Sequence, residues 1–429
     1  MATAKSVFDL AEFKPYLHRY IMRRNEFLTR RRYYDGTIYQ DSQFRLAHKL
    51  YAATKALFLP LARAVDLDVA LIPGVMEPWK LDEDATPAQR TAQALLYRWS
   101  GWDVEADTWL EDGCTMGEGY LKVVPNGKMV QLQRLDPALC LMTKHVDPES
   151  QEVVDLVLIV DPQAEGASGE IYEYAEAITP GQIRTYRNGA PWGFDGRPDR
   201  WENPLGLAPV VGARHDAHGR PTFAKCLPQL DSVNELASYL ADIIGRHAEP
   251  QWAAIGVEQG ELTRSGSNVW YLPAGADIKA ILATIDVAGT LEFIKEIGAE
   301  MKASLPELAF DDLRAKDQIA AETLKVQLIE LYAKVWKCRR RYDAALVEAH
   351  HLAALAAGMM GIGGLEALLD PHEVDDQRPV LPESRLQAIE VEQAELALEA
   401  QRQLLKGESL TSSAVAPATI AEDADTVDA

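Results

Sequence analysis

Gly117 to Leu135 reads GEGYLKVVPNGKMVQLQRL, and this stretch decides the fold class because the period of the apolar residues changes within it. Tyr120, Leu121, Val123 and Val124 form one apolar run, Met129, Val130, Leu132 and Leu135 form another, and Pro125-Asn126-Gly127-Lys128 stands between them. Asn-Gly between two such runs is the strongest short-range hairpin signal a sequence carries, since a tight turn of the right twist needs residues that tolerate positive φ. Upstream the spacing is helical. Residues 5 to about 70 hold Leu46, Leu50, Ala53 and Leu57 at intervals of three and four, and Ala88 to Trp99 resumes the pattern after a Pro-containing connection. Downstream, Val153 to Val160 (VVDLVLIV), Glu170 to Tyr174, Ile183 to Tyr186 and Ala208 to Val211 read as strands. Helices and strands segregated in this way predict an α+β fold with a β-rich region over 119–212.

From residue 232 the helical period returns. Ser232 with Glu235 three residues on predicts a capping box and Pro250 a stop, which gives a helix over 232–249. At 100° per residue Val233, Leu236, Ala237, Leu240, Ile243 and Ile244 share one face, with Glu235, Ser238, Asp242 and Arg246 opposite. Asp242 and Arg246 stand in the favourable i,i+4 order, and His247 falls on the apolar side. A polar, β-like insertion follows over 257–281. A second amphipathic helix is expected from Thr290 to about Ser304, apolar through Phe293, Ile294, Ile297 and Met301 and charged through Glu292, Lys295, Glu296, Glu300 and Lys302. After Pro306 the periodicity is lost as far as Asp317. A long helix is then expected from about Ala321 to Ala357, with Gly358 at its C′ position, spanning roughly 55 Å at 1.5 Å per residue. That length suits an assembly more than a single domain. The uncharged run Leu352–Leu365 is shorter than the ~20 residues a membrane span needs, so no membrane partner is expected.

The chain has 429 residues, enough for roughly two to four domains. Its 43 basic and 65 acidic residues leave a net charge of −22, a field that repels phosphate and excludes a basic, DNA-clamping protein. The charge is uneven: residues 1–50 carry +5, with Arg30-Arg31-Arg32 leading into Tyr33-Tyr34-Asp35-Gly36 as a helix end and turn. Such a run reads as a solvated basic face or as a surface for an acidic partner. From Gly407 onward the chain holds Glu408, Glu422, Asp423, Asp425 and Asp428 and no base, a composition expected to stay disordered. Cys114, Cys140, Cys226 and Cys338 form no CxxC or Cys/His cluster in sequence, so they read as reduced thiols of a cytosolic protein and not as a disulfide framework or zinc site. Asp9 and Glu12 stand where a signal peptide needs apolar residues.

Catalytic motifs are lacking. There is no GxxxxGK[ST] and no GxSxG, and Gly117-Glu118-Gly119 precedes a strand and reads as a turn. His350 and His351 would point about 100° apart on a helix and would not chelate one metal together. Asp311-Asp312 and Asp375-Asp376 have no His or Asn at ligand spacing and read as solvated loop acids. A hydrolase using Asp311, Asp312 or Asp375 is the enzymatic alternative, but the expectation is a non-enzyme with no metal or cofactor.

In its order of features the chain resembles the portal proteins of tailed bacteriophages and related gene transfer particles, over most of residues 15–410. Arg31 to Gly36 (RRYYDG) resembles the family's opening, Gly117 to Val123 (GEGYLKV) its entry to the hairpin, and Leu135-Asp136-Pro137 its strand-ending turn. Asn203-Pro204-Leu205-Gly206 with Pro209-Val210-Val211 resembles the segment before the stem. The resemblance implies a portal-like α+β subunit with a β-rich wing at 1–225, stem helices at 226–254 and 286–305, and a small α/β clip at 255–285. A tunnel loop at 306–320, a long crown-directed helix at 321–406 and the acidic tail at 407–429 complete it. It further implies a homo-oligomeric ring of about twelve copies at one capsid vertex of a virion assembled in the host cytoplasm. Double-stranded DNA would pass through it in packaging and ejection. The terminase large subunit, major capsid and scaffold proteins and a head-completion adaptor would be its partners. Glu292, Lys295, Glu296, Glu300 and Lys302 would face the channel, and Asp311, Asp312, Arg314, Lys316 and Asp317 would lie in the tunnel loop. Where many members carry Ser-Gly before the long helix, this chain has Lys316 to Ala320 (KDQIA). An acidic wall lets DNA pass without capture, while Lys295, Lys302, Arg314 and Lys316 would touch its backbone transiently. A head-tail adaptor is the alternative within the structural class.

Overall fold

The structure, a computed structural model, describes residues 6–40, 58–74, 78–146, 151–166, 168–194, 196–248, 251–255, 263–264, 270–271, 277–281, 287–308 and 328–380. Residues 5 to about 70 are not one helical run. Two 3-10 turns, Val7–Asp9 and Lys14–Tyr16, precede helix α1 (Leu17–Tyr34), and α2 (Leu61–Leu71) follows Pro60. Leu46, Leu50, Ala53 and Leu57 lie outside the described residues. Helix α3 (Pro87–Ser100) opens with a reciprocal capping box between Thr86 and Gln89 and with Pro at its start, and it ends at Gly101. The same glycine begins α4 (Trp102–Met116), a helix the pattern did not announce. Its buried residues Trp102, Ala106, Trp109, Leu110 and Gly113 do follow helical spacing, but Asp103, Glu105, Asp107 and Glu111 are threaded among them.

Gly117 ends α4 at φ 94°, where residues 219 and 220 pass so close that a Cβ would run into the Gly219 carbonyl. The left-handed φ alone costs a non-glycine residue about 1–2 kcal/mol. With the backbone clash added, Gly117→Ala is expected to lower stability by about 2–4 kcal/mol. A denaturant titration checks it, and a shift within about 0.5 kcal/mol, the range of an ordinary surface substitution, would show that the two segments part without cost.

The hairpin is present. Strands β1 (Glu118–Asn126) and β2 (Met129–Leu135) pair antiparallel with Asn126 opposite Met129, leaving Gly127 and Lys128 in the turn. Strand β1 starts at Glu118, so Gly117 alone of the Gly-Glu-Gly triplet is outside it. A second antiparallel sheet runs in the order β3 (Cys140–Val146), β4 (Val153–Glu165), β5 (Ile171–Ile178), β6 (Gln182–Arg187) and β7 (Ala190–Pro191), with β8 (Arg200–Glu202) also pairing to β6. Strand β3 was not expected. Strand β9 (Val210–Arg214) returns to the free edge of β1, giving the order β2-β1-β9 in the first sheet.

The apolar run of β4 explains itself here. Leu156, Leu158 and Val160 pack against Val7, Phe8, Phe13 and Tyr20 of the N-terminal segment, while Val157 and Ile159 pack on Tyr120 and Val210 of the other sheet. A strand covered on both faces needs no polar alternation.

The second half holds α5 (Leu227–Ala248), α6 (Val287–Ser304) and α7 (Ile329–Met360). The Ser232–Glu235 capping box is not formed. The helix has begun five residues earlier, with Pro228 in its first turn, and Ser232 Oγ donates back to the Pro228 carbonyl at 2.9 Å. Between α5 and α6 come β10 (Gln251–Ile255), β11 (Thr263–Arg264), β12 (Trp270–Tyr271) and β13 (Asp277–Ile281), with β10 paired to β13 and β11 to β12. The insertion thus begins at 251, earlier than the expected 257 and inside the 226–254 segment assigned to the first stem helix.

Helix α7, about 48 Å long at 1.5 Å per residue, closes on Gly361 and not on Gly358. Residues 321–327, expected as its first turns, lie outside the described residues. It packs on β1, β2 and β9. There Tyr342 meets Trp109 edge-on at 5.2 Å, over Gly113, where any side chain would collide with its hydroxyl.

Candidate functional site

The element best placed to work outside the body is the α5/α6 pair. The two helices pack together, and the pairing of Gln251 with Ile281 brings the end of α5 and the start of α6 to one place. They therefore run antiparallel, with the β10–β13 insertion at the far end and the body at the near end.

The near end is locked by polar contacts. The hydroxyls of Tyr33 and Tyr39, with rings edge-on at 6.2 Å, both donate to the Asp231 carboxylate at 2.9 and 2.8 Å. Burial and that carboxylate raise both phenol pKa values, so the hydroxyls stay protonated donors. Asn234 brackets the backbone of Phe58, accepting from its N–H at 2.6 Å and donating to its carbonyl at 3.2 Å. Ser238, expected on the solvent side, is fully buried and donates to the Asn234 carbonyl. On α6, Met301 is buried, as are Leu305 and Leu308 just beyond it.

Away from the body the pair is open. Ile244 is 50% exposed, Leu291 43% and Phe293 51%. Leu291 and Phe293 are two residues apart, about 200° around α6, so apolar surface lies on two sides of the helix. Glu292, Lys295, Glu296 and Glu300 are exposed, and Lys302 is half-buried. Asp311, Asp312, Arg314, Lys316 and Asp317 lie outside the described residues, as do the side chains of Asp242, Arg246 and His247.

At the foot of the pair the fold gathers residues that sequence spacing kept apart. Thr222 Oγ1 donates to Asp68 Oδ2 at 2.7 Å and lies 3.0 Å from His215 Nε2. With the hydroxyl proton committed to Asp68, the network assigns the imidazole proton to Nε2, donating to Thr222, and Nδ1 accepts from Tyr342 Oη at 3.4 Å. Cys114 and Cys338, read as unclustered, flank the same ring: Cys114 Sγ is 3.7 Å from Nδ1 and Cys338 Sγ 3.9 Å from Nε2. Burial pushes His215 down to about 4 and Cys338 up to about 12.

Asp68, Cys114 and His215 offer ligand atoms within 4.8 Å of one another. They do not make a good metal centre. The two thiols address opposite ring nitrogens, and the Lys334 ammonium already sits 3.2 Å from Asp68 Oδ2 while donating to Glu307. Burial opposes the charge of Lys334, but Asp68 and Glu307 more than offset it and hold its pKa raised; burial first, then Asp68, pushes Glu307 up to about 7. The cluster ties the end of α6 to α2, α4 and α7.

The basic run at 30–32 is not a free solvated face. Arg30 donates to the carbonyls of Met116 and Gly219, and Arg31 pairs with Asp112 at 3.2 Å and Asp136 at 3.0 Å. Arg134 adds a second guanidinium on Asp112, yet burial still pushes that carboxyl up to about 6. Asp375, half-buried, and Asp376, exposed, form a turn in which Asp375 accepts from the Gln377 N–H.

His350 is fully buried while His351 is exposed, so the adjacent pair does point apart. His350 Nδ1 lies 3.2 Å from His372 Nε2 in a stacked pair, and its Nε2 lies 3.2 Å from Tyr97 Oη. Burial, with His372 adding to it, pushes its pKa down to about 3. The fold keeps this ring neutral, whereas the unfolded chain protonates it near 6.5, so stability is lost as pH falls from about 6.5 toward 3. The stability advantage of the parent over His350→Gln is therefore expected to shrink by about 1 kcal/mol per pH unit between pH 6 and 4. Asp112 and Asp343, raised to about 6, act with the opposite sign but are common to both proteins. Unfolding titrations at three pH values check this; a constant difference would mean that His350 protonates within the fold.

No protein-family model matches the sequence, and no curated protein matches it either. Among solved structures the chain is similar to a chain in the virion of a native gene transfer agent (GTA) particle, at 16% identity and a TM-score of 0.38. It is also similar to a chain of the neck of an empty GTA particle computed with C6 symmetry (17%, TM-score 0.42) and to one of the neck of a native GTA particle computed with C12 symmetry (18%, TM-score 0.38). In each case 82% of this chain and 91% of the other are covered.

Proposed function

We propose that the chain is the subunit of a portal-type ring that conducts double-stranded DNA through one vertex of a capsid. The observation that carries this reading is the α5/α6 pair: locked to the body at one end, open at the other, and apolar on two sides of α6 at Leu291 and Phe293. A head-to-tail interface repeated by rotation gives every subunit a neighbour on either side and covers both. The order of elements, hairpin and β-rich body, helix, small β insertion, helix and long helix, agrees with the portal resemblance of the sequence.

In this reading α5 and α6 are the stem and the β10–β13 insertion is the clip that docks the terminase large subunit and later the head-completion adaptor. The body is the wing, set among capsid and scaffold proteins. Glu292, Lys295, Glu296, Glu300 and Lys302 face the lumen, and Asp311 to Asp317 form the tunnel loop. Light scattering on the purified chain tests the ring: a mass many times the 47.4 kDa of one chain is expected, and a monomer under all assembly conditions refutes it. Reversing Lys295 and Lys302 to Glu is expected to reduce packaged DNA several-fold, more than it impairs ring assembly, since weak, non-specific phosphate contacts are lost. Equal packaging by parent and variant would remove the lumen role of these lysines.

A further inference from the structure

A cavity of about 600 Å³ opens at the foot of the helix pair, between residues 215–225, the end of α6 and the first turns of α7. In a chain of net charge −22 its charged lining residues are mostly basic, Arg220, Lys225, Lys334, Lys337 and Arg341 against Asp216 and Glu330. Two of its cations are already balanced: Lys334 by Asp68 and Glu307, and Arg220 by Asp216 at 2.7 Å. Lys225, Lys337 and Arg341 remain. Among the described residues none of the three has a carboxylate within ion-pair distance, although acids outnumber bases across the chain and Glu330 shares the same rim. Arg341 is held in place by donating to the carbonyls of Lys337 at 3.1 Å and His215 at 3.4 Å. Three cations from two separate segments, lining one concavity with no carboxylate ion-paired to them among the described residues, make a receptor for an anion. A guanidinium fork beside ammonium groups is the donor set that phosphate oxygens take. The volume exceeds that of one phosphate and suits a di- or triphosphate or a short stretch of phosphodiester backbone.

We propose that this cavity is a binding site for a phosphate-bearing anion. The inference stands on a single copy of the chain and does not need the ring. Two sources share the chemistry, a free polyphosphate and the backbone of DNA. Isothermal titration of the full-length protein with sodium triphosphate, and separately with a 16-bp duplex, at two salt concentrations tests it. Binding of triphosphate near one per chain is expected, with affinity at least tenfold lower in Lys337→Ala/Arg341→Ala and also reduced in Lys225→Ala, which lies on a different segment. Lys128→Ala, in the β1–β2 turn and outside the cavity, should bind as the parent does. If the duplex competes with triphosphate, the backbone is a ligand; if it does not, the site takes the free anion, and both results support the proposal. Failure of the parent to bind either probe, or equal binding by the parent and the folded cavity variants, overturns it.

Discussion

Ile244→Asp combined with Phe293→Asp is expected to abolish ring assembly and leave a folded monomer. Each side chain is about half exposed in the single chain and contributes little to its own fold, so the circular dichroism and melting temperature of the subunit should stay close to the parent's. Assembled, each copy would bring two carboxylates into an apolar contact. Desolvating an unpaired carboxylate costs several kcal/mol, and a closed ring repeats that penalty at every interface. The scattering mass should fall to that of one chain. Retained rings would show that these residues stay outside the contact, and the helix pair would lose its place in the account.

Arg339→Ala is expected to have the largest effect on the subunit itself, about 3–5 kcal/mol. The side chain is fully buried, and its guanidinium donates to the carbonyls of Ile72 at 2.9 Å and Leu71 at 2.7 Å, at the C-terminal end of α2, and to those of Arg378 and Pro379. It thereby satisfies helix-end carbonyls and fastens the segment at 378–380 to α7. Arg378 makes the reciprocal tie, pairing with Asp343 at 2.9 Å. Burial pushes Arg339 down to about 10, so it remains charged at neutral pH. Arg339→Lys should rescue little, because a point ammonium does not reach carbonyls on two segments as a planar fork does. Denaturant unfolding measures both variants, and an Arg339→Ala loss below about 1 kcal/mol, the net worth of one ordinary hydrogen bond, would mean that these carbonyls find other partners.

What was legible in the sequence was local. The β1–β2 hairpin followed from Asn126-Gly127, and the two-sided burial of β4 was implicit in VVDLVLIV. Helix α4 escaped because its acids interrupt the apolar pattern, and β3 because Cys140 to Val146 alternates poorly after the Asp136-Pro137 turn. The Ser232–Glu235 signature misled since a Ser-x-x-Glu spacing satisfies the capping rule equally well inside a helix already begun at Leu227. The polar foot was illegible in principle: Asp68, Cys114, His215 with Thr222, Glu307, and Lys334 with Cys338 come from five segments, and no spacing rule joins one segment to another. Arg30 and Arg31 read as a solvated run for the same reason, their partners Met116, Asp112, Asp136 and Gly219 being distant in sequence.

Electron micrographs of the purified chain decide whether it closes into a conducting ring. Closed rings of one rotational symmetry, with an axial opening wide enough for a DNA duplex and a narrow protrusion on one side, are the predicted result. A field of single subunits at every concentration and salt tried, or particles without an axial opening, would contradict it.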